Sequence, residues 1–326
     1  MKWGMFHPRL LTSVLVAGTL LLCAMYAHAK IVFRSERDGI GSIYVMDDDG
    51  SNVEKLSFPQ PHESDGAPAW SPDGTRILFD RNLSKGGQLI ELFVMDKDGS
   101  NVEQLTHDKN QSGAGTWSPD GRRIAFTSSQ TGGLEIYVMD LSTGAVKQLT
   151  KNPGNREWAT EPLWSPDGKY IAYRQATPPL GTTTIYVMRA DGTGQGALVR
   201  GDEWFRYTGG WSKDSQSILY FEKLRGVSRV VIQNHRTKAR RILTQPKKWQ
   251  VHSACFIGHD VLISADKNHD PETNADIYRY HIRTGKVTNL TNHPADDYGA
   301  HWISDTVFSV TPLKKKALQW GTLKKR

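Results

Sequence analysis

The chain has 326 residues, with 41 Lys and Arg against 34 Asp and Glu and a formal charge of +7. Two cysteines are too few for a disulfide framework. The basic excess gathers partly in a tail, Lys314 to Lys316 and Lys324 to Arg326, rather than interleaving with exposed aromatics along a face. That pattern speaks against nucleic acid as a partner and fits a solvated tail or one resting on an anionic envelope surface.

Residues 1–29 read as a targeting segment. Lys2 and Arg9 give a basic start, Leu10 to Met25 is mostly apolar, no acid occurs, and Ala27-His28-Ala29 is the small-x-small site of a cleaved secretory signal. An uncleaved anchor is the alternative, because the apolar stretch is near the shorter limit of a membrane span. Cys23 follows Leu21 and Leu22 rather than small residues, which argues against a lipoprotein. Cleavage removes Cys23 and leaves Cys255 alone, a small buried residue with no disulfide partner. The expectation is a periplasmic or secreted protein with no transmembrane span once the signal is gone, residues 30–326 forming one domain.

Beyond the leader, one signature repeats. Trp-Ser-Pro-Asp-Gly stands at Trp70 to Gly74, Trp117 to Gly121 and Trp164 to Gly168, with a degraded copy from Trp211 to Ser215; these tryptophans lie 47 residues apart. Nearly the same period reaches Phe256 and Trp302. Each signature leads into a short apolar run such as Ile77 to Phe79, a polar loop, and a second run such as Leu92 to Met95 or Ile136 to Met139. An Asp-Gly or Thr-Gly turn follows, then a segment ending Gln-Leu-Thr or similar. β-Branched and aromatic runs bounded by Gly, Pro and Asp are hairpin-connected strands, so the unit is a four-stranded antiparallel meander.

Four strands in a repeat of this length make the blade of a β-propeller. A two-sheet sandwich would not produce a constant period. The fold class expected is therefore all-β, a six-bladed propeller. Residues Ile31 to Phe58 hold the last three strands of a blade but no first one, and Trp302 opens a blade near the other end. Pairing strands from both termini in one blade closes the ring and removes its sheet edges. The apolar pieces Val307 to Val310 and Ala317 to Leu323 leave a seventh, incomplete blade open.

The pattern Pro-x-Trp-Ser-Pro-Asp-Gly, apolar run, Ile-Tyr-Val-Met-Asp, Asp-Gly, Leu-Thr resembles the propeller repeat of the TolB family, and is also similar to the propellers of prolyl-oligopeptidase-type hydrolases. It runs from about Ile31 to Trp302. The expectation is a propeller alone: TolB proteins carry an α/β domain ahead of the propeller, whereas here the first strand follows the leader directly, and the blades use all but a few dozen residues, leaving no room for the attached hydrolase domain. The resemblance further implies two function classes: an exported, non-enzymatic propeller that binds a peptide or protein partner, or an enzyme acting on an anionic oligosaccharide, of the oligogalacturonate-lyase kind that holds a metal with channel histidines.

Several motifs that look chemical read as structural. In Ser-Pro-Asp-Gly, Pro presets φ, Asp bonds its own backbone and Gly takes the positive φ. Gly192-Thr193-Gly194-Gln195-Gly196 mimics a phosphate loop but leads into no helix. No Gly-x-Ser-x-Gly, His-Glu-x-x-His or Cys-x-x-Cys occurs. Asp266, Asn268, Asp270 and Glu272 alternate like calcium ligands, yet Pro271 and Ile277 replace the Gly and Glu an EF-hand loop needs. The reading is a solvated loop, with no metal and no cofactor.

The loops entering the innermost strands converge on one mouth of the channel. Four residues before the signature aromatics stand Gly66, Gly113, Thr160, Tyr207, His252 and Tyr298, half of them small and half aromatic. A few residues earlier lie Trp158, Trp204, Phe205 and Trp249. An off-centre aromatic wall follows, suited to burying a partner's side chains. Charge divides as well: Glu63, Asp65, Asp296 and Asp297 on one arc, Arg156, Arg206, Lys247 and Lys248 on the other. The predicted site is Trp158, Trp204, Phe205, Arg206, Tyr207, Trp249, His252 and Tyr298 facing Glu63, Asp65 and Asp297, holding a peptide or protein partner of the cell envelope on a monomer. A lyase metal is disfavoured because His252 and His301, four residues and one residue before their aromatics, would differ in height by roughly 10 Å, although bending of its loop could bring His62, eight residues before, closer.

Overall fold

Apolar runs of three residues flanked by turn formers leave each segment one solution, a short strand buried on both faces between neighbouring blades. The computed structural model describes residues 29–304 and Val307, except 86–88, 108, 153–156, 178–181, 200–201, 247 and 268–273. Six four-stranded antiparallel sheets form its blades. The closing blade joins β24 (Asp297–Ile303) to β1 (Lys30–Ser35), β2 (Ser42–Asp47) and β3 (Glu54–Lys55). The next three are β4 (Ser64–Trp70) to β7 (Glu103–Gln104), β8 (Ser112–Trp117) to β11 (Val146–Gln148), and β12 (Trp158–Trp164) to β15 (Gly196–Ala197). β16 (Phe205–Trp211) to β19 (Arg240–Leu243) and β20 (Gln250–Ile257) to β23 (Val287–Asn289) complete the ring. β1 pairs antiparallel with β24, Ile31 opposite Trp302, so the two ends of the chain share one sheet as expected. Of the segments that left a seventh blade open, Val307 packs at the edge of a core cluster and the rest lies outside the described residues. The leader, Ala29 apart, lies outside them too.

The repeated signature is architectural. Ser71 Oγ donates to Asp73 Oδ1 (2.8 Å) and accepts from Arg76 N (3.0 Å), while Gly74 takes φ 68° and donates its N–H to the Ser71 carbonyl. The same Ser–Asp bond recurs at Ser118–Asp120, Ser165–Asp167 and, in the degraded copy, Ser212–Asp214. Ser215 there adopts φ 59° in place of glycine. The terminal Leu-Thr ties the last strand to the third: Thr150 Oγ1 accepts from Ile136 N (2.8 Å) and donates to buried Glu135 (2.5 Å), with Thr106–Glu91 and Thr291–Asp276 as counterparts.

Among the described residues, six hydrophobic clusters each lie between adjacent blades. Trp117, for example, packs with Ala69, Leu78 and Leu92 of the preceding blade and Ile124 and Phe126 of its own. Trp70, Trp117, Trp164 and Trp211 are all under a tenth exposed, whereas Phe256 and Trp302 are only partly buried against their clusters. Aromatic side chains of this size contribute several kcal/mol each when sequestered, so the blade interfaces, rather than any single sheet, hold the ring together.

Candidate functional site at the channel mouth

Strand alternation decides which residues reach the mouth. Five residues before the signature aromatics stand Asp65, Ser112, Ala159, Arg206, Val251 and Asp297, and all six are buried. None of the residues four and six before them is buried. Successive side chains on a strand point to opposite faces, so the positions on either side of this inward row turn outward together. Gln111, Gly113, Trp158 and Thr160, from those outward positions of two adjacent blades, line one cleft of about 340 Å³.

The rest of that cleft comes from second strands and from a bulge. Every innermost strand slips register against its neighbour two to four residues before the aromatic. Ala67, Ala114 and Glu161, three before their tryptophans, have φ of 45°, 51° and 55°, a conformation uncommon outside glycine. The bulge turns N–H groups toward the preceding blade, which caps them. Asp80 Oδ2 accepts from Ala114 N (2.9 Å), and the carboxyl group is also approached by Gly115 N. Thr127 Oγ1 accepts from Glu161 N (3.1 Å), and Glu161 Oε2 accepts from Thr208 N (3.1 Å). Gly113 is required beside this arrangement, since a Cβ there would sit 2.9 Å from Asp80 Oδ2.

Asp80, Thr160, Glu161 and Arg174 thus bring charge and hydrogen-bonding groups to a cleft whose other walls include Ile90, Leu134, Ala176 and the 43 % exposed Trp158. Arg174 Nη1 donates to Glu161 Oε1 (2.7 Å), and its guanidinium lies 4.5 Å from the centre of the Tyr207 ring. Three buried polar atoms here have no hydrogen-bond partner among the described residues: Asp80 Oδ1, Thr160 Oγ1 and Arg174 Nε. Burial pushes the Asp80 carboxyl up to about 7, against the pull of its two backbone donors.

Of the predicted site, Trp158, Phe205, Tyr207, His252 and Tyr298 occupy the outward positions. Phe205 is 41 % exposed. His252 and Tyr298 meet edge to face across two blades, 5.5 Å between centres, and His252 Nε2 bonds Asp266 Oδ2 at 2.8 Å. The proposed charge division is corrected. Asp65 forms a two-bond pair with Arg81 (2.6 and 2.9 Å), Asp297 is bonded by Arg37 through both oxygens, and Arg206 is held by Glu222 (3.2 Å) and Asp202 (2.8 Å). These three belong to the inward row, where an ion must be paired inside the fold. Glu63 is largely covered and lies 3.9 Å from Arg81. Trp249 is corrected too: it packs 4.3 Å from Tyr278 within its own blade region and is 7 % exposed. Trp204 is half-buried, stacked on Arg229. Arg156 and Lys247 lie outside the described residues, as do Asn268, Asp270 and Glu272 of the acidic loop; Asp266, the remaining member, faces His252.

Deeper in the channel, all six innermost strands line a continuous cavity of about 360 Å³ that includes Cys255 and His301. His301 Nδ1 accepts from Trp70 N (3.2 Å), and burial lowers its pKa to about 4, so the ring is neutral. Burial likewise pushes the Cys255 thiol up to about 12. Among the described residues, no group of three or more His, Cys, Asp or Glu side chains is gathered as a metal centre would require, and no helix is long and apolar enough to cross a membrane.

Sequence reasoning missed Asp80, Glu161 and Arg174. The signal was present: ten residues after the tryptophans, Asp80, Thr127, Arg174 and Phe221 differ from blade to blade amid otherwise repeating runs.

The closed ring, the bulged inner strands and the cleft at one mouth define a channelled six-bladed β-propeller. Residues 59–175 and 108–267 match the TolB beta propeller domain, together more than half of the chain, and the protein belongs to that family. Its fold is similar to the crystal structure of TolB from Acinetobacter baumannii, with TM-score 0.68 and 24% identity over 84% of this chain, which spans 66% of that protein. A putative TolB from Agrobacterium tumefaciens gives TM-score 0.61 and 17% identity, over 85% of this chain and 98% of that one. An oligogalacturonate lyase from Vibrio parahaemolyticus gives 0.56 and 12%, over 81% and 74%. At these identities the likeness to the solved structures concerns the fold alone. No curated protein matches the sequence.

Proposed function

We propose that the protein is an exported, non-enzymatic propeller of the cell envelope that holds a peptide or protein partner at the channel mouth. The observation that carries this reading is the pair Trp158 and Phe205, 43 % and 41 % exposed at equivalent positions of adjacent blades, Trp158 lining a cleft that contains unsatisfied polar atoms. A large ring left in water on a rigid strand costs solvation that burial against a partner returns, and such aromatics concentrate binding energy in a few anchors. Unpaired buried polar groups beside them supply directionality. Membership of the TolB propeller family and the leader sequence are consistent with this reading.

The test is retention of envelope proteins on immobilised propeller, wild type against a Trp158→Ala/Phe205→Ala double variant. Both side chains lie outside the core clusters, so the variant should keep its thermal midpoint while losing its partner. A folded double variant that retains the same protein refutes the mouth as the binding surface.

A further inference from the structure

We infer that the cleft beside Trp158 is a recognition pocket for a primary ammonium group, with Asp80 Oδ1 as its acceptor. The inference rests on the mouth being a binding surface and adds the chemistry that it selects.

Asp80 and Thr127 occupy equivalent places on consecutive blades and perform the same internal task, capping a bulge N–H of the next blade. Thr127 does so with one hydroxyl. At Asp80 one oxygen, Oδ2, accepts from Ala114 N, and Gly115 N is a second backbone donor to the carboxyl group. A carboxylate therefore exceeds what the cap needs, and its second oxygen is left buried without a partner among the described residues. An unmet buried acceptor is destabilising, and an unmet charge more so, so such a group marks a place where a ligand completes the structure.

The charge balance of the cleft gives the sign of that ligand. Among the described residues, three charged side chains line it: Asp80, Glu161 and Arg174. Arg174 and Glu161 neutralise one another at 2.7 Å, Arg174 is further stacked on Tyr207, and the other Glu161 oxygen is engaged by Thr208 N. Among the described residues, Asp80 remains as the carboxylate of the cleft with no counter-ion. A cation with N–H donors meets both deficits in one charge-assisted bond.

Geometry selects among cations. A guanidinium binds best as a fork to two carboxylate oxygens, and here only one is free; an ammonium is a point charge that needs one. Ile90, Leu134, Ala176 and the exposed Trp158 ring provide apolar walls for the stem carrying it. Arg174 Nε is an unused donor, and Thr160 Oγ1 can donate or accept; a carbonyl close to the stem would engage them. A lysine side chain and a chain N-terminus both offer this combination.

Titration calorimetry on the purified protein tests the assignment with four probes. Nα-acetyl-lysine methylamide and alanine methylamide present the ammonium on a side chain and at an N-terminus; Nα-acetyl-arginine methylamide and Nα-acetyl-norleucine methylamide are the controls. At least one ammonium probe should bind about tenfold more tightly than either control, and Asp80→Asn should weaken it by about tenfold or more. Whichever ammonium probe binds identifies the source. Asn keeps an oxygen for Ala114 N, so the variant should fold, and Asp80→Thr, copying the Thr127 arrangement, is the second variant. Failure of both ammonium probes, equal binding of a control, or unchanged binding by Asp80→Asn overturns the inference. If the Trp158/Phe205 double variant loses its envelope partner while no ammonium probe binds, the ammonium inference falls and the binding function stands. If ammonium binding depends on Asp80 while the double variant retains its partner, the binding function falls and the pocket stands.

Discussion

Two tryptophans at equivalent places should respond differently to the same substitution. Trp117 and Trp164 are 8 % and 7 % exposed, each packed between its blade and the preceding one. Trp117 Nε1 donates to the Ala69 carbonyl at 3.1 Å, whereas Trp164 Nε1 is buried with no partner among the described residues. Replacing either by Ala removes the whole ring and should cost about 3 to 5 kcal/mol. Replacing each by Phe trims a similar amount of packing, so the comparison isolates the hydrogen bond. Trp117→Phe removes a buried hydrogen bond to a carbonyl that keeps its place in the β4–β5 ladder, and should cost about 1 kcal/mol more than Trp164→Phe, which discards an unmet donor. One term opposes this: Arg123 lies 4.8 Å from the Trp164 ring centre, and the weaker face of Phe loses roughly 0.5 kcal/mol there. The hydrogen bond remains the larger effect. Urea titrations of the two Phe variants at matched slope measure the difference directly. Equal midpoints, or a less stable Trp164→Phe, would refute the account of how the blades are joined.

The remaining predictions concern pH and processing. Asp80 titrates near 7 in the fold against an ordinary 3.8, so it binds a proton on folding between those values and its contribution to stability falls as pH rises across that window. His301 runs the other way: held to about 4 against 6.5, it stays neutral in the fold while the unfolded chain takes up the proton, so stability falls as pH drops through that range. The two slopes offset one another in the wild type. Relative to it, Asp80→Asn should gain stability with rising pH between about 4 and 6.5, and His301→Asn should lose it; thermal midpoints measured across this range check both, and curves parallel to wild type contradict them. For processing, the intact mass of protein recovered from the envelope should correspond to a chain starting at Lys30, after the Ala27-His28-Ala29 site; a full-length mass in the membrane fraction would indicate an anchor instead.

The sequence by itself determined the architecture, because that information is periodic. A tryptophan every 47 residues, a turn formula behind each and two short apolar runs leave a ring of four-stranded blades as the consistent solution, and a missing first strand at one end with a spare one at the other specifies its closure. The outward aromatics Trp158, Phe205, Tyr207, His252 and Tyr298 were also legible, since the same alignment lifts them out of the repeat. The tertiary structure alone decided which neighbours face with them. A shift of one residue exchanges the two faces of a strand, so Asp65, Arg206 and Asp297 turn inward to Arg81, Glu222 and Arg37, partners set by blade packing. The bulges, too, are tertiary features: they place Asp80 beneath the backbone of the next blade, 34 residues on, with its Oδ1 buried and without a partner among the described residues, and they carry Glu161 onto Arg174.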